Sequence, residues 1–203
     1  MKFSEELMNA MRHVRGLYPS PDLSDRGVLL NNLLFVWHLM RASEHLLEVA
    51  AEKSEGRDKE YFLEHLEEER NHHEWLTADL KHAGIDPYES FIPVEAVNIV
   101  GAQYYFIFHI NPHALFGYMA YTECFPTPME VIEELEHIHG KELLKTIRYH
   151  ATHDVDHGRE MLEMIDSLPE ASRSIIFQNA VQTAHNYGAA TLKFNGGRHG
   201  RVD

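Results

Sequence analysis

Apolar residues recur every three or four positions along most of the chain, which is the spacing of amphipathic helices. No segment of appreciable length alternates apolar and polar residues at period two, so no sheet is expected. The predicted helices span about 4–15, 24–53, 58–84, 94–110, 113–124, 128–140, 142–167 and 170–194. We therefore predict an all-α bundle of about seven or eight helices in one metal-binding domain, residues 1–195, with a disordered tail at 196–203.

Local signals predict several helix ends. Ser24 opens the second helix, and Thr127 with Glu130 matches a capping box that has proline at the first helical position. Gly84 and Gly140 each follow the last periodic residue of a segment, where glycine ends helices. These signals predict a continuous helix from 58 to 84 and a short helix closed at 140.

Polar side chains occupy the inward stripe of the helix predicted at 142–167. Ile147 and Met161 mark the apolar face, and His150, Asp154 and His157 continue it at i, i+4 and i+7. Burying these groups without partners costs roughly 1–3 kcal/mol for each unsatisfied polar group. A shared cation would satisfy all three. The alternative is a hydrogen-bonded core histidine beside a surface aspartate.

A second stretch repeats this constellation 85 residues earlier. His65, Glu69 and His72 have the same i, i+4, i+7 spacing, and they lie on the apolar stripe that contains Phe62 and Leu76. Two matched triplets on two helices predict a site to which both halves of the chain contribute.

Two further glutamates fall on predicted inward faces. Glu44 lies seven residues after Trp37 on the stripe of the second helix, where it is either a ligand or a surface residue at the edge of the stripe. Glu123 ends an apolar segment shortly before Pro126, and a ligand role is favoured. These carboxylates give each triplet one additional acidic partner.

The collected residues predict a site for two metal ions. A carboxylate from one helix plus a carboxylate-x-x-His pair from its neighbour, supplied twice, holds two ions in the core of helical bundles. Oxygen and imidazole donors without thiolate suit iron or manganese better than structural zinc, although zinc is compatible with these donors. With iron and open coordination positions, we expect O2 as a co-substrate.

The composition of the chain excludes some classes of binding partner. The net charge of −14 argues against nucleic-acid or anionic-membrane surfaces, and the one basic cluster, 198–201, lies in the expected tail. The single cysteine precludes an intrachain disulfide and favours a reducing cytoplasm. No signal peptide or long apolar run is found. We expect a small-molecule substrate and no nucleic acid or membrane partner; a homodimer is one compatible assembly.

Three segments carry a resemblance to a known family. These are Glu-Glu-Arg-Asn-His-His-Glu-Trp-Leu at 68–76, Pro-His-Ala-Leu-Phe-Gly-Tyr-Met-Ala-Tyr-Thr-Glu at 112–123 and the His-x3-Asp-x2-His motif at 150–157. With them, the chain from about Leu33 to Ala190 resembles the heme-oxygenase-like diiron oxidases, relatives of thiaminase II and of the pyrroloquinoline-quinone synthase fold. The resemblance implies a heme-oxygenase-like bundle, two iron ions and O2-dependent oxidation.

The resemblance also implies a ligand set, made up of His72, Glu123, His150, Asp154 and His157. The family often has a glutamate seven residues before the first histidine of this set, and here that position is a histidine, at 65. The remaining carboxylate is therefore the one at 69 or the one at 44, with the imidazole at 65 as a further candidate. Activities in the family include N-oxygenation, C–C cleavage and desaturation, so the resemblance does not define the substrate.

Two other functions are compatible with the sequence. One is a metal-independent hydrolase resembling thiaminase II, with Cys124 as nucleophile and Glu123 as base. The other is a non-enzymatic iron-binding bundle resembling ferritins, because Glu69 and His72 have the ferritin-type spacing. A cysteine nucleophile leaves the two matched triplets unexplained.

Overall fold

The computed structural model describes residues 2–195, except the side chains at 155 and 195. Nine α-helices occupy this part of the chain, and strands are absent from it. They are α1 (Phe3–Arg15), α2 (Arg26–Glu52), α3 (Gly56–Glu69), α4 (His72–His82), α5 (Val94–His109), α6 (Leu115–Glu123), α7 (Met129–His139), α8 (Lys145–Ser167) and α9 (Glu170–Asn195). The tail at 196–203, including its basic cluster, lies outside the described residues.

Several helix boundaries differ from the sequence prediction. The helix expected at 58–84 is two helices, α3 and α4, which raises the count to nine. Asp25, rather than Ser24, caps α2, because its carboxylate accepts hydrogen bonds from the N–H groups of Gly27 and Val28. The capping box predicted at Thr127 does not form, because Pro128 precedes α7 without a side-chain cap. The helix predicted from 142 begins later, at Lys145, because residues 141–144 form a 3-10 turn.

Two apolar clusters form the core, and α2 contributes to both. The larger cluster joins α1, α2, α6, α8 and α9 around residues such as Phe35 and Phe116. The smaller cluster packs the first half of α2 against α4 and α7, with Trp37 fully buried at its centre. The Trp37 indole N–H donates to the Thr77 hydroxyl at 2.8 Å, so this buried polar atom is satisfied.

The short helix α6 lies in the middle of the molecule, and two glycines determine how closely its neighbours approach it. A Cβ at Gly117 would lie 2.4 Å from the Ile176 carbonyl oxygen of α9. On α8, a Cβ at Gly158 would lie 3.1 Å from the Glu123 carbonyl oxygen. The missing side chains therefore allow α9 and α8 to pack directly against α6, and this brings Glu123 next to α8.

Candidate metal centre

The break between α3 and α4 shapes the first half of the site. Asn71 adopts a left-handed conformation with φ of 65°, which asparagine tolerates better than most residues. The Glu44 carboxylate stabilises this turn by accepting hydrogen bonds from the Asn71 N–H at 3.0 Å and from His73 Nδ1 at 2.7 Å. The periodicity did not reveal the break, because the apolar stripe continues on both sides of it.

Seven of the eight residues singled out in the sequence meet in one cluster. Their ligand atoms form three groups, and within each group the atoms lie within 4.8 Å of one another. The groups are Glu69, His72 and His150; His65, Glu69 and Glu123; and Glu123, Asp154 and His157. Because Glu69 and Glu123 each belong to two groups, the cluster has two poles joined by shared carboxylates and by His65.

The eighth candidate, Glu44, does not enter these groups. It lies on α2, where its carboxylate binds the turn between α3 and α4. Its contacts make it a residue that positions Glu69 and His72 on either side of the break. Helical phase could not distinguish this role from ligation, because both require a carboxylate facing α3 and α4.

The cluster is buried and incompletely paired. His65, His72, Glu123 and Asp154 are each at most 8% exposed, and the Glu69 side chain is 11% exposed. Two contacts satisfy part of it: His72 Nδ1 lies 3.2 Å from Glu69 Oε2, and His150 Nδ1 lies 3.1 Å from Asp154 Oδ1.

Four ligand-type atoms of the cluster are buried without a hydrogen-bond partner among the described residues. They are Glu69 Oε1, Glu123 Oε2, His150 Nε2 and His157 Nδ1. Each buried polar atom without a hydrogen bond lowers the stability of the fold by about 1–3 kcal/mol, so the cluster destabilises the protein unless a ligand binds there. Carboxylate oxygens and imidazole nitrogens are donors that iron and manganese accept, so the residues fit a pair of metal ions.

The acidic residues also set the electrostatics of the cluster. Desolvation lowers the pKa of His65, but hydrogen bonds with Glu123 and Glu68 outweigh it and raise this pKa to about 10. Desolvation also lowers the pKa of His150, but the hydrogen bond with the Asp154 carboxylate contributes to a net rise in this pKa. The carboxylates thus attract positive charge to the cluster.

A cavity of about 200 Å³ adjoins the cluster and was not apparent in the sequence. Five cluster residues reach it: His65, Glu69, Glu123, His150 and Asp154. Most of its remaining wall is apolar and comes from α2, α6, α7 and α8. The only hint in the sequence was the continuous apolar face of α2, which reads equally well as core packing.

Two polar residues on the cavity wall also escaped the sequence analysis. The Tyr118 hydroxyl lies 2.8 Å from Ser43 Oγ, and Ser43 in turn donates to the Leu39 carbonyl oxygen at 3.0 Å. Desolvation first, and then the charges of Glu123 and Glu69, raise the pKa of Tyr118 well above its usual value. Tyr118 therefore stays protonated beside the cluster. Ser43, a hydroxyl on the otherwise apolar face of α2, was the available signal.

Cys124 lies next to Glu123 but away from the cavity lining. Its Sγ contacts the Gly158 carbonyl oxygen at 3.6 Å, and burial raises the pKa of the thiol to about 12. Thiolate is the nucleophilic form of cysteine, so this environment disfavours nucleophilic chemistry.

Comparisons with known proteins connect this architecture to a fold. No family model matches the chain, and no curated protein matches its sequence. Two solved structures superpose with a TM-score of 0.66 each. One is a domain of unknown function with a heme oxygenase-like fold from Shewanella denitrificans, 12% identical, covering 94% of this chain and 86% of its own. The other is a TenA homologue from Pyrococcus furiosus, 11% identical, covering 95% of this chain and 99% of its own.

The chain therefore has a heme oxygenase-like, all-α fold, as the sequence resemblance predicted. At this level of identity the likeness concerns the fold alone. Among the helices of residues 2–195, none combines the length and the apolar character that crossing a bilayer requires.

Proposed function

We propose that the protein is an O2-dependent diiron oxidase that acts on a small organic substrate. The observation that carries the proposal is the set of four buried, unpaired carboxylate and imidazole atoms in one cluster beside an apolar cavity. Structural clusters of histidine and acid pair their buried atoms with each other, whereas a binding site leaves atoms for its ligand.

The grouping of the side chains suggests which residues hold the ions. Glu69, His72 and His150 would hold one ion, and Glu123, Asp154 and His157 would hold the other. His65 lies with the two shared glutamates between these poles. Bound as ferrous iron, the pair would supply electrons for the reduction of O2. Manganese or zinc would fit the same donors, but zinc would not supply electrons.

The chain's own residues prepare the surroundings of this chemistry. The apolar wall of the cavity excludes water from the cluster, which protects reactive species and strengthens charge interactions. Tyr118 holds a proton on its hydroxyl at this wall and donates it in a hydrogen bond to Ser43, whose own hydrogen is committed to Leu39. A substrate beside Glu123 therefore meets a neutral phenol on the apolar wall.

The two alternatives are less well supported. A hydrolase using Cys124 would need a thiolate in the cavity, whereas burial favours the thiol and Cys124 does not line the cavity. An iron-storage bundle needs no apolar cavity beside its metal ligands, and here five residues of the cluster border such a cavity.

Anaerobic reconstitution with ferrous iron tests the proposal. We expect about two iron ions per chain, and rapid single-turnover consumption of O2 by the loaded protein. A stoichiometry below about half an ion per chain would rule the proposal out. O2 uptake that leaves only mineralised ferric iron, with no oxidation of any added organic compound from a broad panel, would identify the storage function instead.

A further inference from the structure

The cavity beside the candidate metal centre follows one face of α2. Lining residues recur at three- or four-residue spacing from Leu29 through Leu33, Val36 and Met40 to Leu47. At a rise of about 1.5 Å per residue, this face is about 27 Å long. The lining is therefore long and mostly apolar, which suits an elongated ligand with an apolar body.

Arg15, the last residue of α1, also borders this cavity. Among the described residues that line the cavity it alone is exposed, and it is also the one lysine or arginine there. Its guanidinium carbon lies 4.4 Å from the centre of the Phe125 ring and 5.8 Å from that of Tyr121. The two rings hold the cation at the mouth of the cavity.

Arg15 has no carboxylate partner among the described residues. A planar guanidinium matches a carboxylate or a similar oxyanion through two parallel hydrogen bonds. The cavity thus has a mostly apolar wall and one positive charge, the Arg15 guanidinium, that can pair with an anion.

Arg15 approaches the cluster from the side of α6, because Tyr121 and Phe125 are each two residues from Glu123. Near Arg15, Tyr121 packs on Tyr187 at 5.3 Å, and Tyr187 packs on Phe35 of α2 at 5.0 Å. Glu69 of α3 and His150 of α8 border the same cavity.

We infer that the cavity binds an elongated molecule with an apolar body and an anionic end group such as a carboxylate. The anion pairs with Arg15 at the mouth, and the opposite end of the molecule lies beside Glu69 and His150. That the opposite end is the one oxidised rests on the proposed function, whereas the pairing of the anion with Arg15 does not.

Calorimetric titration with octanoate and with octanol tests the inference in metal-free and iron-loaded protein. The variant Arg15→Gln should weaken octanoate binding by about fivefold, an effect moderated by solvent at the mouth, and should change octanol binding by less than about twofold. Arg15→Lys should retain part of the octanoate affinity, because it keeps the charge without the planar fork. The matched control is Arg12→Gln, three residues earlier on α1, which lies outside the cavity lining and hydrogen-bonds Asn9.

The outcomes separate this inference from the proposed function. The inference is wrong if Arg15→Gln leaves the octanoate affinity unchanged, or if Arg12→Gln lowers this affinity equally. It is also wrong if octanoate does not bind to the protein at all. Octanoate binding that requires iron but not Arg15 also overturns it, because the anion then binds the metal. Arg15-dependent binding in a protein that takes up no iron supports the inference and removes the diiron function.

Discussion

Histidine meets acid in two interior regions of this protein, and the two differ in how completely their atoms are paired. In the first, His113 joins three elements: its Nδ1 lies 2.6 Å from the Ser172 hydroxyl of α9, and its Nε2 lies 2.7 Å from Asp58 of α3. In the second, the cluster around Glu69 and Glu123, four ligand-type atoms have no hydrogen-bond partner among the described residues, and two of them, His157 Nδ1 and Glu123 Oε2, lie 3.9 Å apart. The residue types are similar, yet only the second region leaves atoms for something else to bind.

The difference shows that composition alone does not identify a site. Both nitrogens of His113 are committed to protein partners, so this imidazole ties helices together and has no capacity for a ligand. His150 commits Nδ1 to Asp154 and leaves Nε2 buried and unpaired. The accounting of individual atoms, rather than the count of histidines, separates a structural contact from a binding site.

The largest expected effect concerns Glu123, which belongs to two of the three ligand groups. Glu123→Ala should lower iron affinity by more than about 100-fold, beyond the losses typical of residues that only support a ligand. The free energy of unfolding of the metal-free variant should fall, because the buried His65 imidazole loses the carboxylate whose hydrogen bond raises its pKa. Elemental analysis and urea titration measure the two quantities. A variant that keeps its iron would mean that the unpaired atoms do not mark a metal site.

His113→Ala should lower stability without affecting iron binding. Ser172 is only 4% exposed, and removing the imidazole leaves its hydroxyl without that partner, so we expect unfolding to become easier by about 2 kcal/mol. Iron content after reconstitution should not change. If iron content fell while stability held, the distinction between the two regions would be wrong.

Two aspartates on α8 sharpen the comparison within one helix. Asp154 is 8% exposed and belongs to the cluster, whereas Asp156 is exposed and pairs with Arg159 at 3.2 Å. At about 100° per residue, the two lie about 200° apart around the helix. Asp154→Asn should reduce iron affinity by about tenfold or more, and Asp156→Asn should leave it unchanged, both measured by competition with a chelator. Equal effects would contradict the assignment of faces.

Glu44→Ala should have the smallest effect. Because Glu44 holds the turn at Asn71 and His73, its loss should lower the free energy of unfolding by about 1 kcal/mol. Iron affinity should fall by less than about tenfold, whereas Glu69→Ala should lower it much further. Similar losses in the two variants would make Glu44 a ligand after all.

Helical phase predicted the inward direction of His150, Asp154 and His157 because α8 is regular through this stretch. It also placed His65 and Glu69 together on α3, but it missed the left-handed residue at Asn71. That turn depends on the Glu44 carboxylate, which lies 27 residues away, so no local pattern encodes it.

The cavity was beyond prediction for a related reason. Its wall combines side chains from helices distant in sequence, and whether an apolar face packs against neighbours or borders a space depends on the distances between those helices. Arg15 illustrates the limit: at the end of an amphipathic helix it reads as an ordinary surface cation, and only the rings of Tyr121 and Phe125 direct it to the cavity.

The division of tasks among the helices bears on how such a protein can diversify. The longest wall of the cavity comes from α2, whereas the clustered carboxylates and imidazoles come from α3, α4, α6 and α8. A point substitution at Val36 or Met40 would therefore change the length and width of the molecule accommodated without removing any of the clustered donors. New compounds can in this way be accommodated by changing one apolar side chain at a time, while the clustered carboxylates and imidazoles stay the same.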